Sequence, residues 1–156
     1  MTPAIKLLEK QNIEFSVLQY KHDRNSESYG LEAAEKLQLD AATVFKTLVA
    51  EVDDGELVVA IIPVTQRLSL KSLASACKVK KASMAAPQKV MRTTGYVLGG
   101  VSPLGQKKRL RTFIDESALV LPIMHVSAGK RGVEIALTPN DLAAQSHAEF
   151  VSLCER

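Results

Sequence analysis

The sequence predicts an α+β fold in which a mixed, largely antiparallel, barrel-like sheet is flanked by short helices. Three observations lead to this prediction. Helical and β-rich segments follow one another without a regular βαβ alternation, two long β-rich runs are joined by a tight turn, and capping residues precede several helical apolar patterns. With 156 residues, 46% of them hydrophobic, the chain can bury one core, so we expect a single domain over residues 1–156.

Helices are predicted where a capping residue precedes apolar residues at helical spacing. Thr2 before Pro3 and Thr138 before Pro139 both combine a capping hydroxyl with proline in the first helical turn. Ser69 can cap a helix that buries Cys77. On this basis five helices are expected, at residues 3–11, 31–40, 70–77 and 87–94, and after Thr138.

The clearest strand signal is a hairpin formed by residues 44–52 and 56–64. Asp53-Asp54-Gly55 separates the two runs, and Gly55 can take the positive φ that a tight turn needs. The second run is apolar throughout residues 57–62, which indicates a strand covered on both faces. Alternating or apolar runs predict four further strands, at residues 13–20, 109–114, 123–127 and 133–137.

Composition limits the classes of function. Lys and Arg exceed Asp and Glu by 20 to 17, a mild excess that would favour a nearby polyanion, and the 4% aromatic content argues against a base-stacking platform. Cys77 and Cys154 lie far apart and belong to no CxxC pair, which argues against a disulfide framework and a zinc site. The first residues form neither a signal peptide nor a membrane span, so we expect a cytoplasmic protein.

Lys46 is the most informative single residue, because it lies in an extended run and shares a face with Val44, Leu48 and Ala50. One interpretation is that its side chain reaches water from an edge strand. The other is that the ammonium points into a pocket, where it would hold a carbonyl or phosphate oxygen and gain strength from the low dielectric.

A glycine-rich segment, Gly99–Gly105, could bring backbone N–H groups close to a ligand. It does not match a nucleotide-binding P-loop, because Gln106 stands where that motif needs its lysine. A tight connection between strands is the structural alternative.

Two basic segments are candidates for anion binding. Ser127–Gly132 is a second loop of small residues that carries a hydroxyl and two positive charges after a predicted strand. Lys107, Lys108, Arg109 and Arg111 form a basic cluster that could contact a phosphate backbone or simply be a charged, exposed face.

No motif for a protein nucleophile or a metal is found. His22, His125 and His147 are scattered without ligand spacing, and neither GxSxG nor HExxH occurs. We therefore expect neither a metal nor another cofactor, and an enzyme that works by positioning and electrostatics.

Three segments resemble the YbaK family of tRNA deacylases: Phe45–Leu48, Thr94–Lys108 and Val126–Gly132. The resemblance implies the fold shared with the editing insertion of bacterial prolyl-tRNA synthetases. It also implies a trans-editing deacylase that removes cysteine from mischarged Cys-tRNA(Pro), and also from Cys-tRNA(Cys). The implied partners are the 3′ aminoacyl end of the tRNA and prolyl-tRNA synthetase, with no membrane involved.

The resemblance further implies a mechanism in which the thiol of the cysteine cargo attacks its own ester carbonyl, while Lys46 orients the substrate end. Pro103 matches the YbaK branch, whereas related editing domains for alanine have histidine there, which favours cysteine. The residues that the resemblance places at the substrate pocket are Tyr20, Gly99, Gly100, Val101, Ser102, Pro103, Ser127, Gly129 and Glu134.

The sequence is also compatible with two other functions. One is a deacylase for alanine or other small amino acids that uses water instead of a substrate thiol. The other is a non-catalytic module that binds aminoacyl ends or partner proteins, with Lys46 serving as an anchor for anions.

Overall fold

The computed structural model describes residues 1–26 and 29–156. Within them the chain forms five α-helices and eight strands, which confirms the α+β prediction. The helices are α1 (Pro3–Lys10), α2 (Tyr29–Lys36), α3 (Leu70–Cys77), α4 (Pro87–Thr94) and α5 (Pro139–Ser146). The strands are β1 (Ser16–Gln19), β2 (Phe45–Val52), β3 (Leu57–Pro63), β4 (Ala82–Met84), β5 (Arg111–Asp115), β6 (Met124–Lys130), β7 (Val133–Leu137) and β8 (Glu149–Val151).

Three of the five helices begin at the capping residues that the sequence indicates. The side-chain oxygens of Thr2, Ser69 and Thr138 each accept a hydrogen bond from a backbone N–H in the first turn, at 3.3, 3.1 and 3.2 Å. Gly95 ends α4 with a φ of 83°, the left-handed conformation that favours glycine. The predictions for α1, α3, α4 and α5 are confirmed. The helix expected at residues 31–40 is wrong in its bounds, since α2 spans Tyr29–Lys36 and the left-handed conformation of Gln38, with a φ of 56°, follows its end.

The strands form two sheets. The first has the order β4-β2-β3-β5-β8, with antiparallel pairing up to β3 and parallel pairing of β3 with β5 and of β5 with β8. The second is antiparallel, in the order β1-β7-β6. An isolated bridge between Val44 and His125 links the two sheets. The pairing is thus mixed and largely antiparallel, but the strands divide into two sheets because β2 and β6 meet at this bridge and not along a ladder.

The β2–β3 hairpin forms as predicted and runs through the centre of the larger sheet. Asp54 and Gly55 have φ values of 65° and 84° in the connecting turn. All seven residues of β3 are buried, because the strand packs on both faces. Val59 and Ile61 face the main core, while Ala60 and Ile62 face a second cluster beneath α3.

The structure differs from the sequence prediction at several strands and one loop. β1 begins at Ser16 and not near Ile13, and its residues are mostly exposed because it is an edge strand. The segment 127–132, predicted as a loop, continues β6 to Lys130, because Ser127 pairs with Glu134 and a bulge absorbs the two residues that follow. β4 and β8 were not predicted, since three residues give too little periodicity.

The polar stretch from Lys21 to Tyr29, between the strand expected at residues 13–20 and the helix expected at 31–40, is predicted from its composition to be a loop, and it includes residues 27 and 28, which lie outside the described ranges. Its last residue is the first residue of α2. In the part of the chain that the structure describes, no helix combines the length and apolar character needed to cross a bilayer.

Candidate active site

A cavity of about 390 Å³ lies where the two sheets meet, at the N-terminal end of β2. Its wall comes from separate parts of the chain: the end of β1, the start of α2, β2, the glycine-rich segment and the β6–β7 hairpin. Six of the ten residues singled out from the sequence line it, namely Tyr20, Lys46, Gly99, Val101, Ser127 and Glu134. The fold therefore brings most of the candidate set to one place.

Two of the other predicted residues form the backing of the cavity wall. The Cα of Gly100 packs on the hairpin backbone, since a Cβ built there would lie 3.3 Å from the nitrogen of Arg131. Gly129 packs against Tyr96, because an added Cβ would approach the Cε1 of that ring to 2.3 Å. Both glycines thus allow two segments to pack closely behind the lining residues.

Ser102 and Pro103 are not among the residues that line the cavity. Ser102 is fully buried, and its Oγ accepts the N–H of Leu104 at 3.3 Å, so its hydroxyl shapes the loop. Pro103 faces a different depression of about 210 Å³, which it shares with Leu7 and Arg109. The role of Pro103 in choosing the cargo stays a prediction, and any such effect has to pass through the loop that it holds.

Lys46 is a partly buried cation at the cavity. Lys46 pairs with Ile62 of β3 in the hairpin. On its other side β2 is not paired with any described strand at this point, because only Ala50–Val52 of β2 pair with β4. Burial lowers the pKa of its ammonium, and the charge of Arg67 lowers it further. Among the described residues Lys46 forms no ion pair: the three carboxylates that do pair, those of Glu32, Glu51 and Glu56, bind other cations, so the ammonium can serve a ligand.

Glu134 supplies a buried carboxyl to the same cavity. It lies on β7 between Leu18 of β1 and Ser127 of β6, and only 7% of its surface is exposed. Burial raises its pKa to about 8, so the group is largely protonated at neutral pH when the cavity is empty. A cationic ligand group placed beside it would favour the carboxylate.

Three hydroxyl-bearing residues add polar atoms to the wall. The Oγ of Ser127 accepts the N–H of Gly129 at 3.1 Å. The pKa of Tyr20 is raised to about 12, chiefly by burial and then by the charge of Glu134, so its phenol is a hydrogen-bond donor at any physiological pH. The Oγ1 of Thr47 is buried and has no hydrogen-bond partner among the described residues, which leaves it available to a ligand.

A contact between Tyr29 and Arg131 closes one side of the cavity and was missed by the sequence analysis. The guanidinium carbon of Arg131 lies 3.8 Å from the centroid of the Tyr29 ring, and its Nη2 donates to the carbonyl of Leu98 at 3.1 Å. This cation–π contact joins α2, the glycine-rich segment and the β6–β7 hairpin. Tertiary structure alone creates it, because the three segments are remote in sequence.

Tyr29 is held from behind by a charged cluster. Its ring centroid lies 5.5 Å from that of His22, whose Nδ1 lies 2.7 Å from the Oε1 of Glu32. Glu32 also contacts Lys36 at 3.1 Å, and the Lys36 ammonium lies 5.9 Å from the centroid of the Tyr20 ring. Both tyrosines of the cavity are therefore positioned by the same group of side chains.

The remaining lining residues also escaped the sequence analysis as site residues. Most are apolar and carry no chemical signal, while Lys130 belongs to the basic segment that the sequence did indicate. They are Gly30, Phe45, Leu48, Val64, Leu98 and Lys130.

We expect Gly99→Ala to destabilise the protein by about 2–4 kcal/mol, as measured by urea denaturation. Gly99 has a φ of 85°, and an added Cβ would lie 2.6 Å from Tyr29 and 2.8 Å from the Nε of Arg131. Gly55→Ala is the matched control, since Gly55 has a φ of 84° and the nearest atom to its added Cβ is 3.8 Å away. Equal losses in both variants would mean that backbone strain, and not the close packing against Tyr29 and Arg131, explains the effect.

Comparison with known proteins identifies the family of this chain. Residues 26–144 match the family model of the aminoacyl-tRNA editing domain. EbsC of Enterococcus faecalis, whose assigned activity is deacylation of Cys-tRNA(Pro) and Cys-tRNA(Cys), is 35% identical over 153 residues, which are 97% of this chain and 92% of EbsC. YwhH of Bacillus subtilis, a protein without an assigned function, is 30% identical over 76 residues, 48% of each chain.

A solved structure supports the fold. A protein assigned as a trans-editing enzyme for prolyl-tRNA synthetase superposes with a TM-score of 0.87 over 99% of this chain and 96% of its own, at 24% identity. At that identity the likeness shows the fold, while the family rests on the match to the editing domain and on EbsC. The resemblance seen in the sequence is thereby confirmed, and this chain belongs to the aminoacyl-tRNA editing family.

Proposed function

We propose that this protein is a trans-editing deacylase that removes cysteine from mischarged Cys-tRNA(Pro), and that Cys-tRNA(Cys) is also cleaved. The observation that carries the proposal is a cavity that combines a partly buried lysine with a buried carboxyl, in a member of the editing family. The size of the cavity, about 390 Å³, suits an amino acid and the terminal ribose more than a whole nucleotide chain.

Lys46 is proposed to orient the ester. Its ammonium would contact the carbonyl oxygen of the ester, or the terminal ribose and phosphate, and would stabilise the negative charge that develops on the carbonyl oxygen in the transition state. Because the ammonium is partly withdrawn from water, this interaction is stronger than the same contact at an exposed site.

Glu134 is proposed to bind the α-ammonium group of the cargo. The positive charge would stabilise the carboxylate and lower its pKa from about 8, so that binding is coupled to loss of the carboxyl proton. Tyr20, Thr47 and Ser127 would surround the cargo with hydroxyl groups. The amino acid would thus be held at its charged end by Glu134 while Lys46 acts at its ester.

The bond cleavage is proposed to use the thiol of the cargo. Its sulfur attacks the ester carbonyl, the bond from that carbon to the ribose oxygen breaks, and the ribose oxygen takes a proton, which releases the tRNA and a cysteine thiolactone that water then opens. Among the described lining residues none is a cysteine or histidine, so the hydroxyls of Ser127 and Thr47 have no imidazole beside them to act as general base. These facts support a reaction that needs no protein nucleophile.

One observation favours a second deacylase mechanism. A carboxyl with a pKa of about 8 could act as a general base near neutral pH and activate water against the ester. Such an enzyme would accept alanine or other small amino acids as cargo. A non-catalytic module that binds the aminoacyl end would use the same cavity without cleavage.

Within the proposal, the whole chain, residues 1–156, acts as one domain in the cytoplasm. Prolyl-tRNA synthetase is the proposed partner, as the source of the mischarged tRNA. The assignment of EbsC to the same two substrates supports the cargo, and the fold shared with a trans-editing enzyme for prolyl-tRNA synthetase supports the partner.

The rates at which different amino acids are released distinguish these mechanisms. In single-turnover reactions with Cys-tRNA(Pro), Ser-tRNA(Pro) and Ala-tRNA(Pro), we expect cysteine to be released at least about 10²-fold faster than serine, since serine differs by one atom and lacks the nucleophilic thiol. Equal rates for the three would instead establish attack by water. Binding of all three without release would leave the non-catalytic module.

A further inference from the structure

A second, basic groove lies at the other end of the hairpin. It has a volume of about 320 Å³ and lies between α4, the β2–β3 turn and the start of β5. Four cations line it: Lys89, Lys108, Arg109 and Arg111. The exposed Lys107 adjoins it, because its N–H donates to the carbonyl of Thr94 at the end of α4.

Two of these cations are fixed by carboxylates, and the others are open to a ligand. Arg111 donates to Glu56 at 3.0 Å, and Lys89 forms an ion pair with Glu51. Within residues 1–26 and 29–156, Lys108 and Arg109 form no ion pair, and both are exposed. The groove thus has two cations that are paired with carboxylates and two free cationic side chains.

The net positive charge of the protein is concentrated at this groove. Five of the 20 basic residues and two of the 17 acidic ones belong to it, which leaves 15 of each in the remainder of the chain. A groove that carries this excess of positive charge attracts a polyanion.

The groove is close enough to the cavity for one RNA molecule to contact both. Thr93 lines the groove and Leu98 lines the cavity, and five residues of chain span at most about 18 Å. A free amino acid or nucleotide in the cavity would not reach the groove. A tRNA whose 3′ end enters the cavity continues into the duplex of the acceptor stem, with phosphates on both strands.

We propose that the groove formed by Lys89, Lys108, Arg109 and Arg111 binds the phosphate backbone of the tRNA acceptor stem while the aminoacyl end occupies the cavity. This inference rests on the proposed function for the identity of the RNA. Lys108 and Arg109 contact phosphates directly, while Arg111 and Lys89, tied to carboxylates, define the width of the groove. Phosphate contacts position the substrate and carry no sequence information.

The test compares a full-length substrate with one that lacks the duplex. We expect the double variant Lys108→Gln, Arg109→Gln to raise the KM for Cys-tRNA(Pro) about tenfold and to reduce the slope of log affinity against log salt by about 2, one unit for each lost contact. Cleavage of a cysteinylated CCA trinucleotide, which is too short to reach the groove, is expected to stay at the wild-type rate.

The control removes two positive charges that lie outside the groove. Lys71 and Lys80 line a separate depression beside α3, and Lys71→Gln, Lys80→Gln should leave both the KM and the salt slope unchanged. Circular dichroism melting of both double variants checks that each is folded. A groove variant that equals the wild type on the full-length tRNA, or that loses activity equally on the trinucleotide, overturns the proposal.

The remaining outcomes separate this proposal from the proposed function. If the groove variant loses binding to purified prolyl-tRNA synthetase but keeps its affinity for tRNA, the groove is a protein-docking surface and the inference is wrong. If the wild type releases no amino acid from any tRNA, the proposed function fails. Binding of uncharged tRNA(Pro) then tests the inference on the groove by itself. A smaller slope of log affinity against log salt in the groove variant than in the wild type supports the inference, and equal slopes refute it.

Discussion

Replacing Lys46 by alanine is expected to lower the single-turnover rate of Cys-tRNA(Pro) deacylation by about 10²–10³-fold without unfolding the protein. A loss of this size is typical when one preorganised donor to a developing oxyanion is removed. The free energy of unfolding should change by less than about 1 kcal/mol, because Lys46 is partly exposed and burial disfavours its charged form in the native state. Rapid quench of labelled cysteinyl-tRNA measures the rate, and urea denaturation measures the stability.

The matched control for this variant is Lys71→Ala, which removes an exposed lysine on α3 and should retain the wild-type rate. Two results would contradict the assignment of Lys46. Wild-type activity in Lys46→Ala would mean that the lysine merely extends to water from its strand. Unfolding of Lys46→Ala would indicate that the side chain serves stability. Retained tRNA affinity with lost cleavage would place its effect on the chemical step.

Glu134→Gln is expected to make the protein more stable and less active. The amide oxygen can still accept a hydrogen bond from the α-ammonium of the cargo, but it carries no negative charge, and the loss of the ion pair, about 1.5–3 kcal/mol, corresponds to a rate roughly 10–100-fold lower. The wild-type rate should rise more steeply with pH than that of the variant, because the free carboxyl ionises near pH 8 only in the wild type, whereas the cargo thiol ionises with both proteins. A pH series of single-turnover reactions measures both effects.

The sign of the stability effect follows from the raised pKa of Glu134. The folded protein holds a proton up to about pH 8, whereas the unfolded chain releases it near 4.5, so wild-type stability falls as pH increases between these values. At pH 8 we expect Glu134→Gln to be more stable than the wild type by about 2–4 kcal/mol, and the difference should shrink towards pH 4. Glu14→Gln, at an exposed position, is the control and should show neither effect.

If the difference in the free energy of unfolding between the wild type and Glu134→Gln does not change between pH 5 and 8, the carboxyl is solvated. The basis of its proposed role then disappears. If the variant gains stability but keeps full activity, the carboxyl is buried but does not bind the ammonium group. The two measurements therefore separate the environment of Glu134 from its function.

The local structure was largely readable from the sequence, because it depends on neighbours along the chain. Thr2, Ser69 and Thr138 cap helices as their hydroxyls indicate, and the turn at Gly55 joins the two strands expected to flank it. The sequence pattern did not predict the structure where pairing between strands decides it. Continuation of β6 to Lys130 depends on its register with β7, which no local period reveals.

The candidate site was predicted in part, and its chemical groups explain which part. Lys46 was found because a charge interrupts an apolar face, and Glu134 entered through the family resemblance. Tyr29 and Arg131 were missed, since an aromatic side chain near a polar loop and an arginine in a basic segment look ordinary until the fold stacks one on the other. Pro103 was associated with the pocket, but the structure turns it towards another depression.

The sequence by itself determined the positions of four of the five helices, the central hairpin, the family and the lysine of the proposed site. Only the tertiary structure decided how the strands divide into two sheets and which residues enclose the cavity. It also decided that Lys108 and Arg109 share a groove with Lys89 and Arg111. The physical reason is that capping and periodicity act within a few residues, whereas burial, cation–π contacts and charge clustering depend on segments that meet only after folding.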